Sequence, residues 1–209
     1  MEKEIPYFSQ PDNTHCFQAC LKMALKYFFP EKDYSWEDLD KFSDKPKDKW
    51  TWICAAFVEL KKMGLSVKVY TNFDYESFVK EGVSYLRKVF SKEVAEKNIE
   101  MSDIDSEVEN AKNMIKEDIY EKREITFEDI EKWFKENYLI ILIVNSMILN
   151  GKPGYSGHFV ILTGIEENNI LIHDPSTYYG SPNRKINKDI FLNALFYPEK
   201  EKEVYLIKK

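Results

Sequence analysis

The sequence is poor in the residues from which staples, metal centres and flexible turns are made. It holds three cysteines, three histidines and seven glycines. Three cysteines cannot all pair within one chain, and their spacing fits no metal-finger pattern. A site built on His15, Cys16 and Cys20 would need a further ligand brought in by folding, so no metal and no cofactor is expected. No stretch of about eighteen apolar residues is present, which argues against a membrane span. The opening Met-Glu-Lys-Glu-Ile-Pro has neither an apolar signal core nor a cleavage site. The expected setting is therefore cytoplasmic, with reduced thiols. Excess positive charge is also missing. The formal charge is −6, with thirty Lys and Arg scattered among thirty-six Asp and Glu. That leaves no patch suited to a phosphate backbone, so nucleic acid is excluded as an expected partner.

What is present is core-forming. Apolar residues make up 44% of the 209, with fourteen Phe and thirteen Tyr, a composition opposed to disorder. The length suits one domain, 1–209, and neither internal repeats nor a low-complexity linker divides it. Ile5, Tyr7 and Ser9 suggest a short strand. A helix is expected from about Cys16 to Phe29, ending before Pro30. Ser35 caps a short helix over 36–42, with acidic residues in its first turn. Trp50-Thr51-Trp52 opens another helix, Gly64 takes the position after its end, and Leu65 to Tyr70 follows as a strand. From Asp74 to Trp133 the pattern is helical and highly charged, with Thr126 and Asp129 signalling a helix start. We take 75–133 as a helical insertion with a solvated face. The character then changes: Tyr138–Asn145 is an apolar strand, Gly157–Ile165 and Ile170–Asp174 form a hairpin about Asn168-Asn169, a helix capped by Asn187 runs to Leu195, and Val204–Ile207 is a last strand. Helices first, then antiparallel strands, predict an α+β domain.

One stretch carries reactive chemistry. Polar turn residues lead from Gln10 to Cys16, where a helix begins. A thiol at a helix N-terminus faces backbone N–H groups without intrahelical partners and the positive end of the dipole, which favours the thiolate. Cys20 and Cys54 lie among apolar residues and are expected in the core. The nucleophile needs a base, and His158 opens a strand next to a Gly- and Ser-containing loop. Asp174 ends the following strand. At about equal distances from the hairpin turn, the two are expected to be near neighbours. An Asp that orients a His and stabilises its cation is what a general base in nucleophilic catalysis requires. His173 alternates with Asp174 and should face the other side of the sheet, while His15 is expected to point away from the thiol. Trp50, Trp52, Tyr155 and Tyr178 are candidates for lining a cleft.

The order Gln10, Cys16 on a helix, Gly157-His158 opening a strand and Asp174-Pro175 ending the next resembles papain-like cysteine peptidases. The nearer match is the C39-like peptidase family, of the bacteriocin-leader-processing type and its stand-alone relatives, and it covers most of the chain. The resemblance implies a papain-like fold, with a Cys-bearing N-terminal helix packed on a C-terminal antiparallel sheet. It makes Cys16 the nucleophile, His158 the base and Asp174 the orienter, with the Gln10 side-chain amide and the Cys16 backbone N–H forming an oxyanion hole. The family's usual Gly-Pro after the Cys is replaced by Phe17-Gln18, and a bulky Phe17 is expected to narrow the cleft. The implied function is a thiol hydrolase acting on a peptide or small amide. Two alternatives stand beside it: an inactive peptide-binding module on the same fold, and an acyl-transferase or amidase for a small molecule.

Overall fold

A computed structural model describes residues 2–197 and 202–209. Among the described residues, the N-terminal half is helical: α1 (Cys16–Phe28), α2 (Trp36–Phe42), α3 (Cys54–Lys62), then strand β1 (Ser66–Thr71) and helices α4 (Tyr75–Glu81), α5 (Val83–Val89), α6 (Lys92–Met101) and α7 (Ile104–Lys116). Strand β2 (Tyr120–Lys122) and helix α8 (Phe127–Lys135) lead to β3 (Leu139–Asn145), the short α9 (Ser146–Leu149), β4 (Gly157–Ile165), β5 (Asn169–Asp174), β6 (Ser181–Asn187), α10 (Lys188–Leu195) and β7 (Glu203–Lys208). No described helix is long and apolar enough to cross a membrane.

The strands form one seven-stranded sheet in the order β2-β1-β7-β3-β4-β5-β6. It is antiparallel except for its first pair, since β2 runs parallel to β1. Helices cover both faces. Tyr205, Ile207, Phe159 and Ile161 point to a core shared with α1, α3 and α4–α7, whereas Val204, Leu206, Val160 and Leu162 point to a second core under α8–α10. Side chains alternate across a strand, so burial on both faces gives β3, β4 and β7 their unbroken apolar runs.

The helix caps follow local chemistry. Ser35 with Asp38, and Thr126 with Asp129, close reciprocal capping boxes, and Asn187 accepts the N–H groups of Asp189 and Ile190. Other expectations are corrected. Residues 5–9 form no strand. They run extended beside β5 and bond to it irregularly: the Ile5 carbonyl accepts from His173 Nε2 (2.8 Å), and Tyr7 Oη donates to the Asp174 carbonyl (2.9 Å). The third helix begins at Cys54 rather than Trp50, and the residues before it are instead pinned by partners from elsewhere in the chain. Trp50 N donates to the Met101 carbonyl and Trp52 N to Glu107 Oε1. The segment read as helical throughout contains β2, and β6 was not foreseen.

Candidate active site

Cys16 is the first residue of α1, placed there by a loop that Asp12 organises. The Asp12 carboxylate accepts from Thr14 N (2.7 Å), Thr14 Oγ1 (2.8 Å) and His15 Nδ1 (2.7 Å), while His15 Nε2 reaches Asp40. His15 is thereby held by two carboxylates and directed away from the thiol. The loop is tied to the end of β5, since Gln10 N donates to the Pro175 carbonyl at 2.9 Å.

His158 and Asp174 meet: Nε2 of His158 lies 2.8 Å from Asp174 Oδ1. They are not equidistant from the turn. The register sets Ile161 opposite His173, which leaves Asp174 beside Val160, two residues along β4 from His158. A bulge at Thr163 decides this, because the register shifts between Leu162 and Gly164. Continued without the shift, the pairing near the turn would oppose Asp174 to Ile161. Asp174 would then share a face with Ile161, away from the face of His158, because one residue of slip moves a side chain across the sheet.

The Asp174 carboxylate is fully engaged. Oδ1 also accepts from Ser176 N (3.0 Å), and Oδ2 accepts from Arg184 Nη1 (2.7 Å). Arg184 is anchored in turn through Nη2 to the Leu149 carbonyl (3.2 Å) and Asn150 Oδ1 (2.9 Å). Nothing in the sequence marked Arg184, since it lies on an unrecognised strand among other charged residues. With Nε2 committed to Asp174, Nδ1 is the ring nitrogen of His158 left to face the thiol of Cys16, and each of the two groups shifts the pKa of the other.

The electrostatics favour a charged pair. Burial pulls the His158 pKa down, but bonding to Asp174 and Cys16 and their negative charges outweigh it and raise the imidazole to about 9. Burial pushes the Cys16 thiol up, yet His158 and the backbone N–H groups of Phe159 and Phe17 bring it below its ordinary value. Asp174 falls to about 2: burial opposes this, and His158, the Ser176 N–H and Arg184 outweigh burial. Cys54 provides the contrast. It too is the first residue of a helix, but full burial and then the nearby Glu107 and Glu203 carboxylates drive its thiol well up. The helix dipole is common to both positions; complete burial and the sign of the neighbouring charge separate them. Cys20, also fully buried, is raised likewise. All three thiols are free.

Gln10 is buried beside the same cavity, and its Oε1 has no hydrogen-bond partner among the described residues. His173 stays apart on the opposite face of the sheet, donating through Nε2 to the Ile5 carbonyl and accepting at Nδ1 from Asn183 N. Phe17 is 1% exposed and packs on the Phe159 ring, centroids 5.1 Å apart, so it stands in the wall of the cavity, anchored to the core, rather than projecting across it. Gln18 is buried and donates to Ser43 Oγ. The cavity holds about 1540 Å³ and is lined by Gln10, Cys16 and His158, together with the four aromatics singled out above. Among the described residues no group of three or more His, Cys, Asp or Glu is arranged to hold a metal ion.

A model of the Peptidase_C39 like family matches residues 2–203. Among solved structures, a double glycine motif protease from an AMS/PCAT transporter, crystallised with the leader peptide, shares 16% identity at a TM-score of 0.52. That match covers 99% of this chain and 93% of the other. A C39-like peptidase from Bacillus anthracis shares 13% identity at a TM-score of 0.53, covering 99% and 96%. At such identities the likeness shows the fold alone. No functionally curated protein matches the chain.

Proposed function

Since this chain belongs to the Peptidase_C39 like family, whose membership and fold support a cysteine-peptidase-like function, we propose that it cuts peptide bonds with Cys16 as nucleophile, His158 as acid and base, and Asp174 as orienter. The observation that carries this reading is the His158 ring, bonded through Nε2 to a buried carboxylate and facing the one thiol whose pKa is lowered. In the resting site the proton sits on His158 and Cys16 is thiolate. The sulfur attacks the substrate carbonyl carbon, forming a C–S bond and an oxyanion. The Gln10 side-chain amide and the Cys16 backbone N–H donate to that oxyanion, a role that calls for the amide –NH₂ to face the cavity. His158 then protonates the leaving nitrogen as the C–N bond breaks. Water, deprotonated by His158, hydrolyses the thioester and returns the thiolate–imidazolium pair.

Asp174 stays anionic throughout, held by Arg184, and keeps the imidazole in one orientation. A relative by fold is bound to a leader peptide, and a peptide fits the long cavity here better than a small amide does. A reducing, cytoplasmic setting suits three free thiols. Two features favour the inactive-module alternative, Phe17-Gln18 and the charged helical insertion over 75–133; of the first, Phe17 packs into the cavity wall and Gln18 is buried against Ser43. The reading is tested by incubating the protein with a synthetic peptide mixture and identifying new termini by mass spectrometry. Cleavage should vanish in Cys16→Ala and persist in Cys20→Ala. Cleavage that survives Cys16→Ala, or none by the wild type, would refute it.

A further inference from the structure

The cavity continues past Cys16 across the sheet. Pairing places Phe159 opposite Ile143, Leu142 opposite Val204, and Thr71 opposite Glu203. Phe159, Ile143, Glu203 and Thr71 therefore form one row across β4, β3, β7 and β1, immediately below the level of His158. Trp52, Phe73, Tyr75 and Phe90 border the same cavity at the far end of this row, and Glu203 lines it.

Glu203 is 7% exposed. Hydroxyls of Thr71 and Tyr205 hold its carboxyl group in place, one at each oxygen, and Tyr75 lies nearby. Those donors satisfy its oxygens without supplying positive charge, and among the described residues no Lys, Arg or His forms an ion pair with it. Burial accordingly raises its pKa. A carboxylate taken out of water without a cation is costly, and pairing it with one recovers much of that cost. The aromatic surround suits a cation as well, since ring faces attract ammonium and guanidinium groups.

We propose that the Glu203 end of the cavity is a specificity subsite for a cationic side chain, lysine or arginine, of the peptide substrate. This rests on the peptidase reading given above. Two strand spacings separate Glu203 from Phe159, about 10 Å, which an extended peptide spans in about three residues. The cationic residue therefore sits within about three positions of the bond that is cut.

The test uses the full chain carrying Cys16→Ala, so that no bond is broken, and amide-capped alanine hexapeptides in which lysine, arginine or norleucine is placed at each position in turn. Binding is measured by calorimetry. At one position, or two adjacent ones, lysine and arginine should bind about tenfold more tightly than norleucine. Adding Glu203→Gln, which preserves an acceptor for the hydroxyls, should bring that ratio close to one. If Glu203→Gln unfolds the chain, Glu203→Asp replaces it, and withdrawing the charge by one methylene should also reduce the ratio. Failure of every peptide to bind, no preference at any position, or a preference that survives both variants would overturn the subsite. The wild type is then given the best lysine peptide. Preference without cleavage would sink the peptidase reading and leave the subsite standing, and cleavage without preference would do the reverse.

Discussion

Asparagine at position 174 would keep the shape of Asp174 and put one of its donors in conflict. The carboxylate accepts from His158 Nε2 and Ser176 N on one oxygen and from Arg184 Nη1 on the other. An amide has one acceptor and one donor end, so one orientation sets –NH₂ against the imidazole and the other sets it against the guanidinium. Either way the anion is lost. His158 stands at about 9 against an ordinary 6.5, a preference for imidazolium worth about 3 kcal/mol. Burial works against that preference, and Asp174 is the first of the groups that overcome it. With Asp174 neutral, burial draws His158 back toward or below 6.5, and Cys16 loses the cation that lowers it. An increase of only one pKa unit, about 1.4 kcal/mol, would cut the thiolate fraction about tenfold in weakly acidic solution. The assay is the rate of Cys16 alkylation by iodoacetamide across pH, read by intact mass. In the wild type the rate should rise well below the free thiol value of about 8.5, while Cys20 and Cys54 stay unmodified. In Asp174→Asn the curve should move up by at least about one unit. A folded Asp174→Asn protein with the wild-type profile would refute the coupling.

Three further outcomes are expected. Phe17→Ala should lose about 3–5 kcal/mol of stability in urea unfolding, as a buried aromatic does; a change near zero would mean that its packing on Phe159 contributes nothing to the core. Gly180→Ala would set its Cβ 2.1 Å from the Ser176 carbonyl and 2.5 Å from that of Asp174, so a lower melting temperature and slower Cys16 alkylation should come together, and an unperturbed protein would show that this turn does not brace Asp174. Glu107 is 2% exposed, and burial raises its pKa to about 8. The folded chain therefore keeps a proton that the unfolded chain releases above 4.5, so this contribution is complete below that value and is lost as pH rises through about 8, on the order of 5 kcal/mol in all. Glu107→Gln should flatten the decline in melting temperature over that range, and an unchanged slope would contradict the assignment.

Much of the fold is legible in local signals. The Asn187 cap and the pairing of Thr126 with Asp129 are short-range chemistry, and the apolar runs of β3, β4 and β7 need no partner to be recognised. The two strands that escaped recognition, β2 and β6, are the two edges of the sheet. Edge strands are kept short, charged or proline-containing, which discourages pairing with other chains and erases the periodic signal. Tyr120-Glu-Lys and the stretch from Ser181 through Pro182 to Asn187 fit that description. The first turn expected of the third helix is absent, and the segment is tied down by long-range contacts that no local pattern shows: Met101 and Glu107, far along the chain, accept from the N–H groups of Trp50 and Trp52.

The same division runs through the candidate site. Sequence alone determined that Cys16 opens a helix and that His158 and Asp174 lie on consecutive strands, because helix starts and hairpins are written in neighbouring residues. Tertiary structure decided the rest. The bulge at Thr163 puts Asp174 on the face of His158, Arg184 arrives from an edge strand to hold the carboxylate, and Phe17 turns into the core. Cys16 and Cys54 begin helices in the same way, and their surroundings, complete burial and then carboxylates for Cys54 but an imidazole for Cys16, make one thiol acidic and the other inert. Charge–charge interactions act across space between residues distant in sequence, so no local pattern could have told the two apart.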